Sequence, residues 1–103
     1  MEVKQLADGQ LADSTGDLYT AVSATIISTM TFVNTHTSAI TMNVYILPSG
    51  GTARRIIPKD MNLGIGYLAT LDEEINLDTG DKIQGDASVA DKVDYTIGGI
   101  DGL

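Results

Sequence analysis

The chain has 103 residues, six Lys or Arg against 14 Asp or Glu, a formal charge of −8 and no cysteine. That length supports one domain around one core and excludes a second. The acidity argues against nucleic acid, whose phosphates need a clustered basic face, and the lack of Cys excludes disulfides, thiolate metal sites and thiol nucleophiles.

Val (6), Ile (11) and Thr (12) together make 29 residues, and there are 11 glycines beside them. Branching at Cβ restricts χ1 and suits a pleated surface better than a helix, so the chain reads as all-β. Met1-Glu2-Val3-Lys4-Gln5-Leu6 lacks the apolar core of a signal peptide. No stretch approaches the roughly 18 apolar residues of a membrane span, and no membrane partner is expected.

Val3 to Ala12 reads as a small hairpin or arm that turns at Asp8-Gly9, a pair tolerant of positive φ. Its few large apolar residues, Val3, Leu6 and Leu11, leave two placements open: weak packing on its own domain, or contact with a neighbouring subunit. Residues 1–16 are therefore set apart as an N-terminal arm or hairpin, and residues 17–103 as the sandwich domain.

Leu18 to Val22 and Thr25 to Asn34 follow as strands. Strict alternation along the second puts Ile26, Ser28, Met30 and Phe32 on the inward face. Ile40 to Leu47 sets Ile40, Met42, Val44 and Ile46 inward, and the five-residue link 34–38 predicts an antiparallel hairpin between the two. Pro48-Ser49-Gly50-Gly51 stops that strand. Arg54-Arg55-Ile56-Ile57-Pro58-Lys59 follows as an edge or a short strand, because Pro58 offers no ladder donor. Beyond Gly64-Ile65-Gly66, Tyr67 to Leu71 and Glu74 to Leu77 read as strand segments. Thr79-Gly80-Asp81 gives a reversal before Ile83, and Val93, Tyr95 and Ile97 share the buried face of the last strand. About eight short strands at turn spacings of roughly 8–12 residues describe a single antiparallel β-sandwich, jelly-roll-like.

No catalytic constellation sits on these strands. His36, the single histidine, lies among Thr35, Thr37 and Ser38 and reads as a polar turn residue. Asp72-Glu73-Glu74 with Asp78 and Asp81 lack the EF-hand spacing and read as solvated carboxylates. Without Trp and with one Phe, paired carboxylates have little aromatic platform for a sugar. Gly64-Ile65-Gly66 lacks the third glycine and following helix of a nucleotide loop, and reads as a bend. No enzyme activity, cofactor or metal is expected. Arg54, Arg55 and Lys59 form the one basic cluster. They face two readings: contact with an acidic neighbour, or edge-strand protection against aggregation.

Taken in order, Tyr19-Thr20-Ala21, the strand ending at Asn34, Val44-Tyr45-Ile46-Leu47-Pro48-Ser49-Gly50-Gly51, Ile57-Pro58-Lys59, Leu77-x-x-Gly80-Asp81-x-Ile83-x-Gly85 and Val93-x-Tyr95-x-Ile97-x-Gly99 resemble small β-sandwich virion proteins of tailed bacteriophages. The resemblance spans Leu18 to Ile100. It implies a non-enzymatic structural protein of the virion, made in the host cytoplasm and placed on the capsid surface. There it would act as a cement or decoration protein on the major capsid protein or another virion protein, as a homo-oligomer. The alternative within the same resemblance is a receptor- or carbohydrate-binding or structural module of a neck, tail fibre or baseplate. Partner contacts are expected at Arg54, Arg55, Lys59, Val3, Leu6 and Leu11.

Overall fold

A computed structural model describes residues 2–103, so Met1 of the expected arm lies outside the described residues. Ten strands form and no helix does among these residues: β1 (Lys4–Gln10), β2 (Gly16–Thr20), β3 (Thr25–Asn34), β4 (Ile40–Leu47), β5 (Arg54–Arg55), β6 (Met61–Leu63), β7 (Leu68–Leu71), β8 (Ile75–Leu77), β9 (Lys82–Ala87) and β10 (Val93–Ile100). The β-branched runs therefore become strands, as their side chains demand.

The strands make two antiparallel sheets. In the first, here the β3 sheet, the order is β1-β10-β3, with β7 and β8 lying end to end along the far side of β3. In the second, the β4 sheet, the order is β2-β9-β4, with β5 and β6 end to end along β4. If each interrupted margin counts as one strand, eight positions remain. The chain changes sheet at nearly every connection and stays within one sheet between β4 and β5, where Gly51 N–H donates to Pro48 O at 2.9 Å across the turn. This double Greek-key wrapping is a jelly roll, the sandwich anticipated from the strand spacing.

Between the sheets lie Ile27, Met30, Phe32, Ile40, Met42, Val44, Ile83, Val93 and Ile97, all at most 1% exposed. Phe32 packs against Tyr95 with ring centroids 6.5 Å apart and planes tilted by 34°. Of the residues expected to be inward on β4 and the second half of β3, Met30, Phe32, Ile40, Met42 and Val44 are fully buried. Ile46 is half-buried against the core at the strand's end.

Three local expectations are corrected. The Asp8-Gly9 pair does not turn: β1 runs straight through it, pairing Asp8 with Thr96 and Gly9 with Tyr95 on β10. A Cβ at Gly9 would sit 3.1 Å from the Tyr95 hydroxyl, so this glycine serves a close approach of an aromatic ring rather than a reversal. Asn34 to Ser38 does not join a hairpin either. It carries the chain from the β3 sheet to the β4 sheet, held by Asn34 Nδ2, which donates to the carbonyls of Ser38 and Leu63 at 3.0 and 2.9 Å. Finally, strict alternation fails on β3. Gly98 pairs with Thr29 but Gly99 pairs with Ile27, leaving Ser28 as the extra residue of a β-bulge. A bulge shifts the side-chain parity by one, so Thr25 and Ile27 point inward before it and Met30 and Phe32 after it, while Ile26 and Ser28 are only half-buried. Gly99 makes the bulge possible: a Cβ there would collide with the Ile26 carbonyl oxygen and lie 2.9 Å from Ile27 Cα.

Candidate functional site

The residues expected to meet a partner fall in three different settings. Leu11 is 0% exposed, with its backbone bonded to Val93 O and Asp91 N. It belongs to the protein's own core and offers nothing to a neighbour, which corrects its assignment as a contact residue. The reason is that β1 is a full member of the β3 sheet and delivers the next side chain between the layers. Leu6 is partly buried against the core beside the bulge at Gln5/Ala7. Val3 is 65% exposed at the start of the same strand. Arg54, Arg55 and Lys59 are all exposed, on and just after β5, which pairs only at Tyr45 and Ile46. Pro58 thus leaves the segment as a marginal strand, as its chemistry dictates.

His36 is half-buried in the loop after β3, where its N–H donates to Asn34 Oδ1 at 2.8 Å. No group of three or more His, Asp or Glu residues is disposed to hold a metal among the described residues. Asp81 is occupied structurally: its carboxylate accepts the backbone N–H groups of Ser49 and Asp78, each at 2.9 Å. These two donors hold its pKa below the usual carboxylate value. Gly64 to Tyr67 forms the expected bend, with Tyr67 N–H donating to Gly64 O at 3.1 Å.

The outer face of the β4 sheet carries a polar network centred on Asn43. Met42 and Val44 point inward, so Asn43 points outward, yet it is only 7% exposed because its neighbours close over it. Its Nδ2 donates to Asp60 at 3.1 Å and Asp86 at 2.9 Å, and its Oδ1 accepts Arg55 Nη1 at 2.6 Å and Asp60 N–H at 2.8 Å. Asp60 adopts φ 51° to present that N–H, a conformation aspartate tolerates better than most residues. The Arg55 guanidinium also lies 5.0 Å from the centre of the Tyr45 ring. Toward β2, Asp17 accepts Gln84 Nε2 at 2.8 Å and Lys82 Nζ at 2.9 Å. First the Gln84 hydrogen bond and then the Lys82 ammonium lower its pKa.

The outer face of the β3 sheet has a different character. Its rows read Thr96-Thr31-Thr70 and Asp94-Val33-Leu68 across β10, β3 and β7. At its β1 end an open depression of about 380 Å³ is lined by Val3, Lys4, Gln5, Thr29, Thr96 and Gly98. Lys4 closes that corner with a 2.9 Å ion pair to Asp101, which raises the Lys4 pKa through the hydrogen bond first and the charge second.

One feature of the surface escaped the sequence reading. Ile65, Tyr67 and Leu68 are 60%, 69% and 61% exposed, side by side where the chain crosses from β6 to β7. The sequence reads Tyr67 to Leu71 as a strand segment, which holds from Leu68 onward in β7. The signal that could have shown the exposure is the Gly64-x-Gly66 bend, which puts the residues beside it on a turn.

The fold is similar to that of a chain in the structure of infectious bursal disease virus, Gx strain, with a TM-score of 0.52 and 17% sequence identity. The match covers 98% of this chain and 33% of the viral chain, so this protein spans about a third of that chain's length. At such identity the likeness is one of fold. No protein-family model and no curated protein matches the chain.

Proposed function

We propose that this protein is a non-enzymatic structural component of a virion, a cement or decoration protein that stabilises a tailed-phage head by binding across major capsid protein subunits. The observation that carries the reading is the jelly roll itself, matched over 98% of the chain by a chain of a virus structure. The ordered resemblance of Leu18 to Ile100 to phage virion proteins supports the same reading. So does the use of polar groups: Asn43, Asp60, Asp86, Asp17 and Asp81 are engaged with neighbouring side chains and with the backbone rather than converging on a cleft.

In this role the protein would work by added burial. A symmetric assembly over capsomer junctions engages several subunits at once, so modest contacts per copy become strong through effective concentration. The protein would be made in the host cytoplasm and carried on the capsid surface, without a nucleic-acid or membrane partner.

The test is removal of the chain from the particle. Heads assembled without it should form but lose DNA or collapse at lower temperature or under osmotic shock, and adding back the purified protein should restore resistance. Particles of unchanged resistance that fail to adsorb to cells would instead support the tail-fibre or baseplate alternative. Particles normal in both respects would contradict a virion role.

A further inference from the structure

The lateral margin built by residues 54–74, the two broken edge strands and the crossing between them, has a charge pattern unlike the rest of the molecule. It contains Arg54, Arg55 and Lys59 against Asp60, Asp72, Glu73 and Glu74, so it contributes one net negative charge of the chain's −8. Elsewhere the remaining cations are Lys4, Lys82 and Lys92 among ten carboxylates, and Lys4 and Lys82 are already paired with Asp101 and Asp17. Outside this margin carboxylates outnumber cations ten to three, so two copies approaching through another face would mostly bring acidic surface together. This margin comes nearest to charge balance.

The two signs are also separated in a useful way. Arg54, Arg55 and Lys59 lie on the rim of the β4 sheet, at β5 and in the break before β6. Asp72, Glu73 and Glu74 lie on the rim of the β3 sheet, in the break between β7 and β8. All six are exposed, and none is in an ion pair with another described residue. Arg55 is held by Asn43 and the Tyr45 ring, and Asp72 by the Thr29 hydroxyl, so Arg54, Lys59, Glu73 and Glu74 are the charges left to meet a partner. Between the two rims, where the chain crosses from β6 to β7, stand Ile65, Tyr67 and Leu68. They are half of the large apolar side chains exposed on the described surface. Exposed apolar residues bordered by charge are the composition of an interface centre and its rim, with Tyr a favoured anchor.

We infer that this margin is a two-fold interface with a second copy of the same chain. A two-fold axis parallel to the strands sets the β4-sheet rim of one protomer against the β3-sheet rim of its partner. Each Arg54-Arg55-Lys59 cluster then faces an Asp72-Glu73-Glu74 run, twice by symmetry, while Ile65, Tyr67 and Leu68 near the axis meet their own copies. The pairing covers both interrupted sheet margins and withdraws the largest exposed apolar group from water. It stands whether or not the protein belongs to a virion, because it rests on this surface alone.

The experiment is sedimentation equilibrium of the full chain with reciprocal charge reversals. The wild type should dimerise at concentrations up to about 100 μM. The R54E/R55E/K59E variant and the D72K/E73K/E74K variant should each lose affinity about ten- to hundredfold, although the second moves the net charge toward zero and would associate more tightly if overall repulsion governed the outcome. An equimolar mixture of the two should recover dimers, because one then carries acids on both rims and the other bases on both. Tyr67→Ser with Leu68→Ser should abolish association in a protein that still folds, checked by circular dichroism. A wild type that stays monomeric would overturn the inference. So would reversal variants that associate like the wild type, or a mixture of folded variants that stays monomeric. Should one triple reversal fail to fold, K59E paired with E73K/E74K makes the same comparison with fewer changes.

Discussion

The two sheets share one core but secure their outer faces by different means. On the β4 sheet, Asn43 ties β4 to the β5–β6 margin through Arg55 and Asp60 and to β9 through Asp86, while Asp17 ties β2 to β9. On the β3 sheet, threonines and valine pave the middle, Gly99 admits a bulge, and the edge strand β1 is anchored by Lys4–Asp101 and by Tyr95 over Gly9. One face is fixed by a connected network centred on Asn43, the other by close backbone approach together with isolated polar pairs such as Lys4–Asp101, Gln10–Asp94 and Thr29–Asp72. The difference teaches that similar strands in one sandwich can depend on side-chain chemistry in one layer and on the absence of a side chain in the other.

The largest effect should come from the layer both sheets lean on. Phe32→Ala removes the largest fully buried side chain and should cost about 3–5 kcal/mol in chemical denaturation by leaving a cavity. Probes on both sheets should melt together in that variant. Next, Gly99→Ala forces a Cβ into the Ile26 carbonyl and should cost about 3 kcal/mol through overpacking. Amide exchange should show the damage in β3 and β10 first. Asn43→Ala should cost about 1–3 kcal/mol, because it leaves Asp60 N–H without its acceptor and removes the donor shared by two carboxylates. Here exchange should quicken along β4, β5 and β9, with β10 unaffected. Equal loosening of both sheets in either variant would erase the contrast.

The smallest effects are in pH, and they should separate the two edge strands. Asp17 and Asp81 are held below their usual pKa, so their contribution is complete above about pH 4 and is lost as the pH falls through their folded-state values. Lys4 is held above its usual value by Asp101, so its contribution is complete below about pH 10 and is lost as the pH rises through the folded-state value. Burial first, then the nearby Asp8 charge, raises the Tyr95 hydroxyl, so its ionisation adds to the alkaline loss. Acid should therefore release β2 before β1, and alkali β1 before β2, as read by exchange of their backbone amides.

These contrasts also mark what the sequence could disclose. Val93, Tyr95 and Ile97 alternate without interruption, and their burial was legible. On β3 the same reasoning chose Ile26 over Ile27, because a bulge at Ser28 depends on Gly99 some 70 positions away, and local periodicity carries no trace of it. Asn43 could be placed on the outward side of β4. Its burial could not be read, since Asp60 and Asp86 reach it only through strand pairing. The basic cluster was legible as Arg54, Arg55 and Lys59. The apolar trio beside it was not, because Tyr67 and Leu68 read like any strand until the Gly64–Tyr67 bend places them at the margin. Leu11 failed for a similar reason: it looked stranded in a thin arm, and only the pairing of β1 with β10 shows why it is in the core.

The most direct test of the proposed virion role is the number of copies of this chain in a purified virion, counted by quantitative mass spectrometry against the major capsid protein. A cement protein over capsomer junctions should be present in hundreds of copies, in fixed proportion to the major capsid protein. A few copies or a few tens would move the protein to the neck, tail or fibres, and its absence from the particle would contradict the virion assignment itself.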